Sequence, residues 1–202
     1  MMISLEKLEI LGACSDAFML FQENQKDPID AIELLTKMVD ARTRVHKCIK
    51  EISQVPYIWA NWLTTQCLNT PDKIRYALHA ARVAFPIYNI AYPLDDRVLK
   101  AIKYTENYLE CHSVTENVDI IALHARQSLR DACRQGKLDA FHAACSAEAV
   151  VCSTVSSGCA EYAILYAAKA YGVQNPKTEE ITLRNLLSYG IALLKTKGCR
   201  EC

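Results

Sequence analysis

Apolar residues recur at intervals of three and four along nearly the whole chain, the period of helices laid against a core. Leu5, Leu8 and Leu11 open the series, and Gly12 follows where such a helix would stop. Ser15 is placed to cap a second helix, with Phe18 and either Leu20 or Phe21 turned inward. Asp27-Pro28 combines an N-cap residue with a proline suited to the first helical turn. From there an apolar face runs through Ile29, Ile32, Leu35, Met38 and Val39, and onward to Val45, Ile49 and Ile52. Pro56 restarts the chain before a helix from Tyr57 to Leu68, which carries Trp59 and Trp62. Thr70-Pro71-Asp72 repeats the cap-plus-proline signal, and Ile74, Leu78, Ala81 and Phe85 follow at helical spacing, with Pro86 as a kink.

The segment from Lys73 to Leu109 reads as helix, break, helix. Pro93 lacks the N–H of an interior helical residue and steers Tyr92 away from helical angles. Asp95 and Asp96 then stand where a carboxylate can bond free N–H groups at the next helix start, with Arg97 placed to pair with a nearby carboxylate. Leu99, Ile102 and Leu109 resume the helical period. After the polar connection 111–117, three helices are expected: Val118 to Cys133, Leu138 to about Ser153, and about Ser156 to Tyr171. Gly136 and Gly172 act as stops. Asn175-Pro176 makes a turn, and Thr178 caps a final helix from Glu179 to about Lys197. The alanines of 140–149 and 160–170 predict two closely approaching helices. No β-hairpin signal is visible. The expectation is an all-α fold: a single compact bundle of about eight to ten helices with short loops. It comprises one domain over 1–202, with segments 1–70, 71–110 and 111–202.

Composition narrows the partners. Hydrophobic residues make up 51% and charged residues 23% of the 202, which suits a chain with a real core. Lys plus Arg equals Asp plus Glu at 23 each, so the basic excess of a nucleic-acid binder is missing. Arg42, Arg44, Lys47 and Lys50 form a local basic run that also suits a solvated helix face. No uncharged apolar run reaches the roughly 18 residues of a membrane span. The charged opening MMISLEKLEIL has no signal-peptide core, so a soluble, cytoplasmic protein is expected, with its ten cysteines reduced.

Chemistry is sparse. Cys199-x-x-Cys202 is half a zinc site by spacing, with Cys111-His112 as a conceivable other half, but a single CxxC at a terminus leaves the expectation at no metal and no cofactor. His142 precedes Cys145 by one helical turn, the minimum of a Cys–His pair, without a readable orienting group or oxyanion site. Cys145, Cys152 and Cys159 recur every seven residues, a packed row unless a turn near 156–158 interrupts it. Glu148 and Glu161 stand in Ala-rich runs, so each either reaches the surface or is buried beside a cation; Arg82, His124 and Arg126 are the candidates.

The stretch from Tyr76 to Leu109 resembles the helical immunity proteins encoded in bacterial toxin clusters and their phage and prophage relatives. Tyr92, Pro93, Asp95, Asp96, Arg97, Ala101 and Ile102 carry the resemblance, and Leu5 to Phe21 looks like the start of several phage members. Val98 and Leu99 depart from the pattern, and 155–172 lacks the histidines of the immunity type. The resemblance implies an all-α fold and a role in conflict between phage, bacterium and toxin, carried out by binding a protein. It brings no catalytic residues with it.

Two functions follow as expectations. The first is a non-enzymatic protein that binds and neutralises or redirects a host or toxin protein, with Tyr57, Trp62, Tyr88 and Tyr92 as aromatic anchors. Trp59 fits either the same surface or the core. The second is a small-molecule or nucleotide-binding helical protein, or a weak hydrolase. Its pocket would be lined by Arg82, His124, Arg126, His142 and Glu148.

Overall fold

A computed structural model describes residues 1–24, 28–40, 55–111 and 117–198. Their helices are α1 (Leu5–Ile10), α2 (Ser15–Asn24), α3 (Ala31–Asp40), α4 (Val55–Cys67), α5 (Thr70–Ala91), α6 (Arg97–Cys111), α7 (Val118–Arg134), α8 (Leu138–Ser153), α9 (Ala160–Gly172) and α10 (Pro176–Gly198). A 3-10 turn at Ser157–Cys159 links α8 to α9 and interrupts the cysteine row. The fold is all-α, as the periodicity predicts.

One short ladder departs from that pattern. β1 (Met2–Ile3) pairs antiparallel with β2 (Ile29–Asp30), Met2 opposite Asp30 and Ile3 opposite Ile29. It is not a hairpin, because α1 and α2 lie between its strands. Two residues per strand are too few for an alternation to register against the surrounding helical period. Ile29 therefore sits in a strand rather than on a helix face.

The helix starts also differ in detail from the expectation. Ser15 is the first residue of α2, and the Cys14 carbonyl accepts the N–H of Phe18. Asp30, not the pair at 27–28, caps α3 by accepting the N–H of Ile32 at 2.9 Å; residue 27 lies outside the described residues. Asn69, not Thr70, caps α5 through the N–H of Asp72 at 2.8 Å, and α5 runs through Pro86. Asn175, not Thr178, receives the N–H of Lys177 at the start of α10. At α5 and α10 an Asn one and three residues upstream of the expected threonine takes the position, its side-chain carbonyl accepting a free N–H of the first turn, and at α3 the cap stands just downstream of the expected pair. Gly12 and Gly136 have positive φ, 76° and 69°, just past α1 and α7, as stop signals require. Gly172 serves differently: a Cβ there would lie 2.8 Å from the Glu179 Cβ, so its bare backbone admits the start of α10.

The chain divides into two compact units, Met1–Leu68 with Gly190–Cys202, and Asn69–Tyr189. The second unit starts at Asn69, at the N-cap of α5. Within it α6 and α7 pack together. In the first unit α1 packs on α2 and α3 on α4, with Ile3, Leu35, Leu63 and Phe21 buried.

In the second unit α8 is the central helix, in contact with α5, α6, α7 and α9. Its alanines at 140, 143, 144 and 147 are buried, as are Ala160, Ala163, Ala167 and Ala168 of α9. Small side chains let the two axes approach, and the buried Ser146 hydroxyl donates across to the Ala163 carbonyl at 2.7 Å. The Tyr171 hydroxyl donates to the Val83 carbonyl at 2.9 Å, tying α9 to α5.

Candidate functional site

The break between α5 and α6 is a densely bonded polar feature of the second unit. Tyr92 ends α5 with φ −140°, its N–H still donating to the Tyr88 carbonyl at 2.9 Å. The chain turns at Pro93 and Leu94, and the Asp95 N–H returns to the Tyr92 carbonyl at 3.1 Å. Asp95 supplies the side-chain cap: its carboxylate accepts the Arg97 N–H at 3.1 Å. Asp96 contributes its backbone carbonyl to the Lys100 N–H at 2.8 Å, while its carboxylate pairs with Lys100 in solvent. Of the two aspartates that could cap α6, the first does so.

The Asp95 carboxylate has further partners. It accepts from the Arg97 guanidinium at 2.6 and 2.9 Å and from the buried Tyr88 hydroxyl at 2.6 Å. Arg97 reaches on to Asp131 of α7 at 2.8 Å. The Arg97 hydrogen bonds, aided by Tyr88, hold the Asp95 carboxyl down at about 2 against the opposing effect of burial. Asp95 and Asp131 in turn push the Arg97 pKa up. Burial, then the Asp95 bond, raises the Tyr88 phenol. Every charge in this group is paired, which is the condition for a partly buried ion network to hold its shape.

A second layer fastens the same corner to the α7–α8 turn. The Tyr92 hydroxyl donates to Gln135 Oε1 at 3.2 Å. Lys137 Nζ lies 4.3 Å from the Tyr92 ring centroid and donates to the Ala91 carbonyl at 3.1 Å, satisfying an orphan acceptor at the end of α5. The Tyr88 and Tyr92 rings stand 5.1 Å apart. Beside this clamped frame Ile90 is 82% exposed and Leu94 99% exposed.

The anchors expected from sequence are therefore split. Tyr88 is fully buried and braces the corner from inside, and Tyr57 is buried in the first unit, so neither offers a contact surface. Their apolar rings complete the buried stripes of α5 and α4, where helical spacing put them. Tyr92 and Trp62 are half-buried, the first in the second unit and the second, like Trp59, in the first. Ile90, Leu94, Asp131, Gln135 and Lys137 were not singled out. Ile90 and Leu94 flank the proline break, which is a local signal; the other three lie more than thirty residues downstream and carry none.

Of the five residues of the expected pocket, the structure brings Arg126 and Glu148 together. Arg82 pairs with Glu106 of α6 at 2.6 Å, and Arg126 pairs with Glu148 at 2.6 Å, joining α7 to α8. Glu148 has thus found a cation at a half-buried site, the second of the two placements open to it. His142 packs edge-on to Phe141 and parallel to Tyr166, with Nδ1 buried and unbonded. Burial, then the Lys169 charge, lowers its pKa. His124 is half-buried on α7. Cys145, one turn from His142, is buried, and desolvation pushes its thiol up to about 12, which disfavours the thiolate that catalysis would need.

Cys14, Cys133, Cys145, Cys152 and Cys159 are free thiols. Among the described residues no three His, Cys, Asp or Glu side chains gather as metal ligands. Cys48, His112, Cys199 and Cys202, with the basic run at 42–50, lie outside the described residues. Within them no helix is long and apolar enough to cross a membrane. No protein-family model, curated protein or solved structure matches the chain.

Proposed function

We propose that this chain is a non-enzymatic binding protein, immunity-like or phage-encoded, that neutralises or redirects a host or toxin protein in the cytoplasm. The observation that carries the reading is the α5–α6 corner. Two large aliphatic side chains, Ile90 and Leu94, are held out to solvent beside the half-buried Tyr92. The backbone beneath them is fixed by Asp95, Arg97 and Asp131. Apolar groups on a rigid frame lose little freedom on binding, so more of the buried area appears as affinity. The same residues, Tyr92 to Arg97, carry the resemblance to the immunity proteins, which supports a shared use of the corner. The buried Cys145, whose thiol burial keeps protonated, favours this reading over catalysis.

The experiment is a paired affinity capture from host lysate with wild-type protein and the Ile90→Ser/Leu94→Ser double variant. Both sites are exposed, so helicity measured by circular dichroism should be unchanged. A protein retained by the wild type and lost at least tenfold by the variant is the expected result. Equal retention would remove the corner from the binding surface. A co-purifying nucleotide whose binding is abolished by His142→Ala or Glu148→Ala, with no protein captured, would install the pocket reading instead.

A further inference from the structure

We infer that the outer face of α7 is a docking seam for an acidic amphipathic helix of the partner protein. The inference rests on the protein-binding reading above and gives the partner a chemistry. α7 buries Ile121, Ala125, Ser128 and Ala132, spaced four, three and four, in the direction of its neighbours α6 and α8. Ile120, Leu123, Gln127, Arg130 and Arg134 form a second row, spaced three, four, three and four. At 3.6 residues per turn this row lies roughly 150° around the helix from the buried one and extends about 21 Å.

Alternate spacings of three and four are the a/d pattern of a coiled coil, and Ile then Leu is the usual pairing at a and d. Here that pair faces solvent: Ile120 is 51% and Leu123 46% exposed. A helix serving only its own bundle needs one such row, which α7 already has. The second has the width and register of a seam for one more helix.

Charge selects the occupant. The seam ends in two arginines on a chain of zero net charge. Among the described residues Arg130 has no ion pair, and Arg134, 79% exposed, has only Asp131 at 3.9 Å, a carboxylate already bonded to Arg97 at 2.8 Å. The other cation of this helix, Arg126, is taken by Glu148. A partner helix with apolar residues over Ile120 and Leu123, and carboxylates one turn apart over Arg130 and Arg134, would satisfy both halves. A basic helix would meet uncompensated repulsion.

The test uses synthetic helical peptides of about three heptads. One half carries leucine at a and d and the other glutamate at a, d, e and g; both half-orders are made, to allow parallel and antiparallel docking. A lysine-for-glutamate version serves as control. Fluorescence anisotropy should show one order of the glutamate peptide binding at micromolar concentration, more weakly as salt rises. Arg130→Glu/Arg134→Glu should lower that affinity at least tenfold and admit the lysine peptide, and Ile120→Ser/Leu123→Ser should abolish binding of both. Absence of binding by either order at about 100 µM, or equal affinity for wild type and the charge-reversed variant, would overturn the inference. So would a single-stranded DNA oligonucleotide that binds more tightly than the glutamate peptide. Loss of a captured protein by the Ile90/Leu94 variant alongside any of these failures would leave the binding reading standing while the seam falls.

Discussion

Replacing Asp95 by asparagine removes the charge on which Tyr88, Arg97 and the first turn of α6 all converge. Its carboxyl is held at about 2 against an ordinary 3.8, chiefly by the Arg97 hydrogen bonds and then by Tyr88. At 1.36 kcal/mol per pKa unit that depression amounts to about 2.5 kcal/mol of native-state stability at neutral pH. The side chain is only 18% exposed, so solvent screening discounts little of it. Asparagine keeps one acceptor but leaves Arg97 with Asp131 alone, and an unfilled bond at the buried Tyr88 hydroxyl adds to the loss. The expected cost is about 2 to 3 kcal/mol at pH 7. Urea denaturation followed by far-ultraviolet circular dichroism is the assay, because both tryptophans lie in the other unit and their fluorescence would report that one. A folded pKa below the unfolded one contributes stability above the unfolded value, and the contribution disappears as pH falls through the folded one. The gap between wild type and Asp95→Asn should therefore be full above about pH 5 and close between about pH 4 and pH 2. Asp96→Asn, whose ion pair with Lys100 is solvent-exposed, should cost less than about 0.5 kcal/mol. A gap for Asp95→Asn below 0.5 kcal/mol, or one that does not narrow in acid, would refute the reasoning.

Two further expectations concern buried groups. The phenol of Tyr76 is fully buried on α5 with its hydroxyl unbonded, so Tyr76→Phe should raise stability by about 1 kcal/mol, read as a higher urea midpoint; a loss of that size would mean that the hydroxyl has a partner. Mass-spectrometric mapping of thiol labelling at pH 8 should show the exposed Cys14, Cys111 and Cys133 modified promptly and Cys145 last, because burial keeps its thiol protonated; simultaneous labelling of Cys145 would contradict its place in the core.

Much of the local structure could be read from residue order. A spacing of three and four apolar positions names a helix and its inward face, and positive-φ glycines after α1 and α7 end their helices for reasons internal to a few residues. Tyr92-Pro93 stops α5 because proline acts on its immediate neighbour, and the Asp95–Arg97 contact spans two residues. At the start of α5 two adjacent residues competed for one cap, and the Asn69 side-chain oxygen rather than the Thr70 hydroxyl accepts the Asp72 N–H.

Tertiary packing decided which covered face meets which. Periodicity marks a stripe as apolar but says nothing of the helix that will lie on it, so the central place of α8 was not legible. The same holds for the ion pairs that cross helices: Arg97 with Asp131, Arg82 with Glu106, Arg126 with Glu148. Each joins residues 22 or more apart on neighbouring helices, brought together only when those helices pack. The site follows from that docking. Tyr88 and Tyr92 differ by one helical turn and have the same chemistry, yet packing buries the first wholly and leaves the second half open. Ile90 and Leu94 are as hydrophobic as any core residue, yet they stand in solvent beside a frame whose Asp95–Arg97 pair is local and whose Arg97–Asp131 pair only the packing of α6 on α7 could bring together.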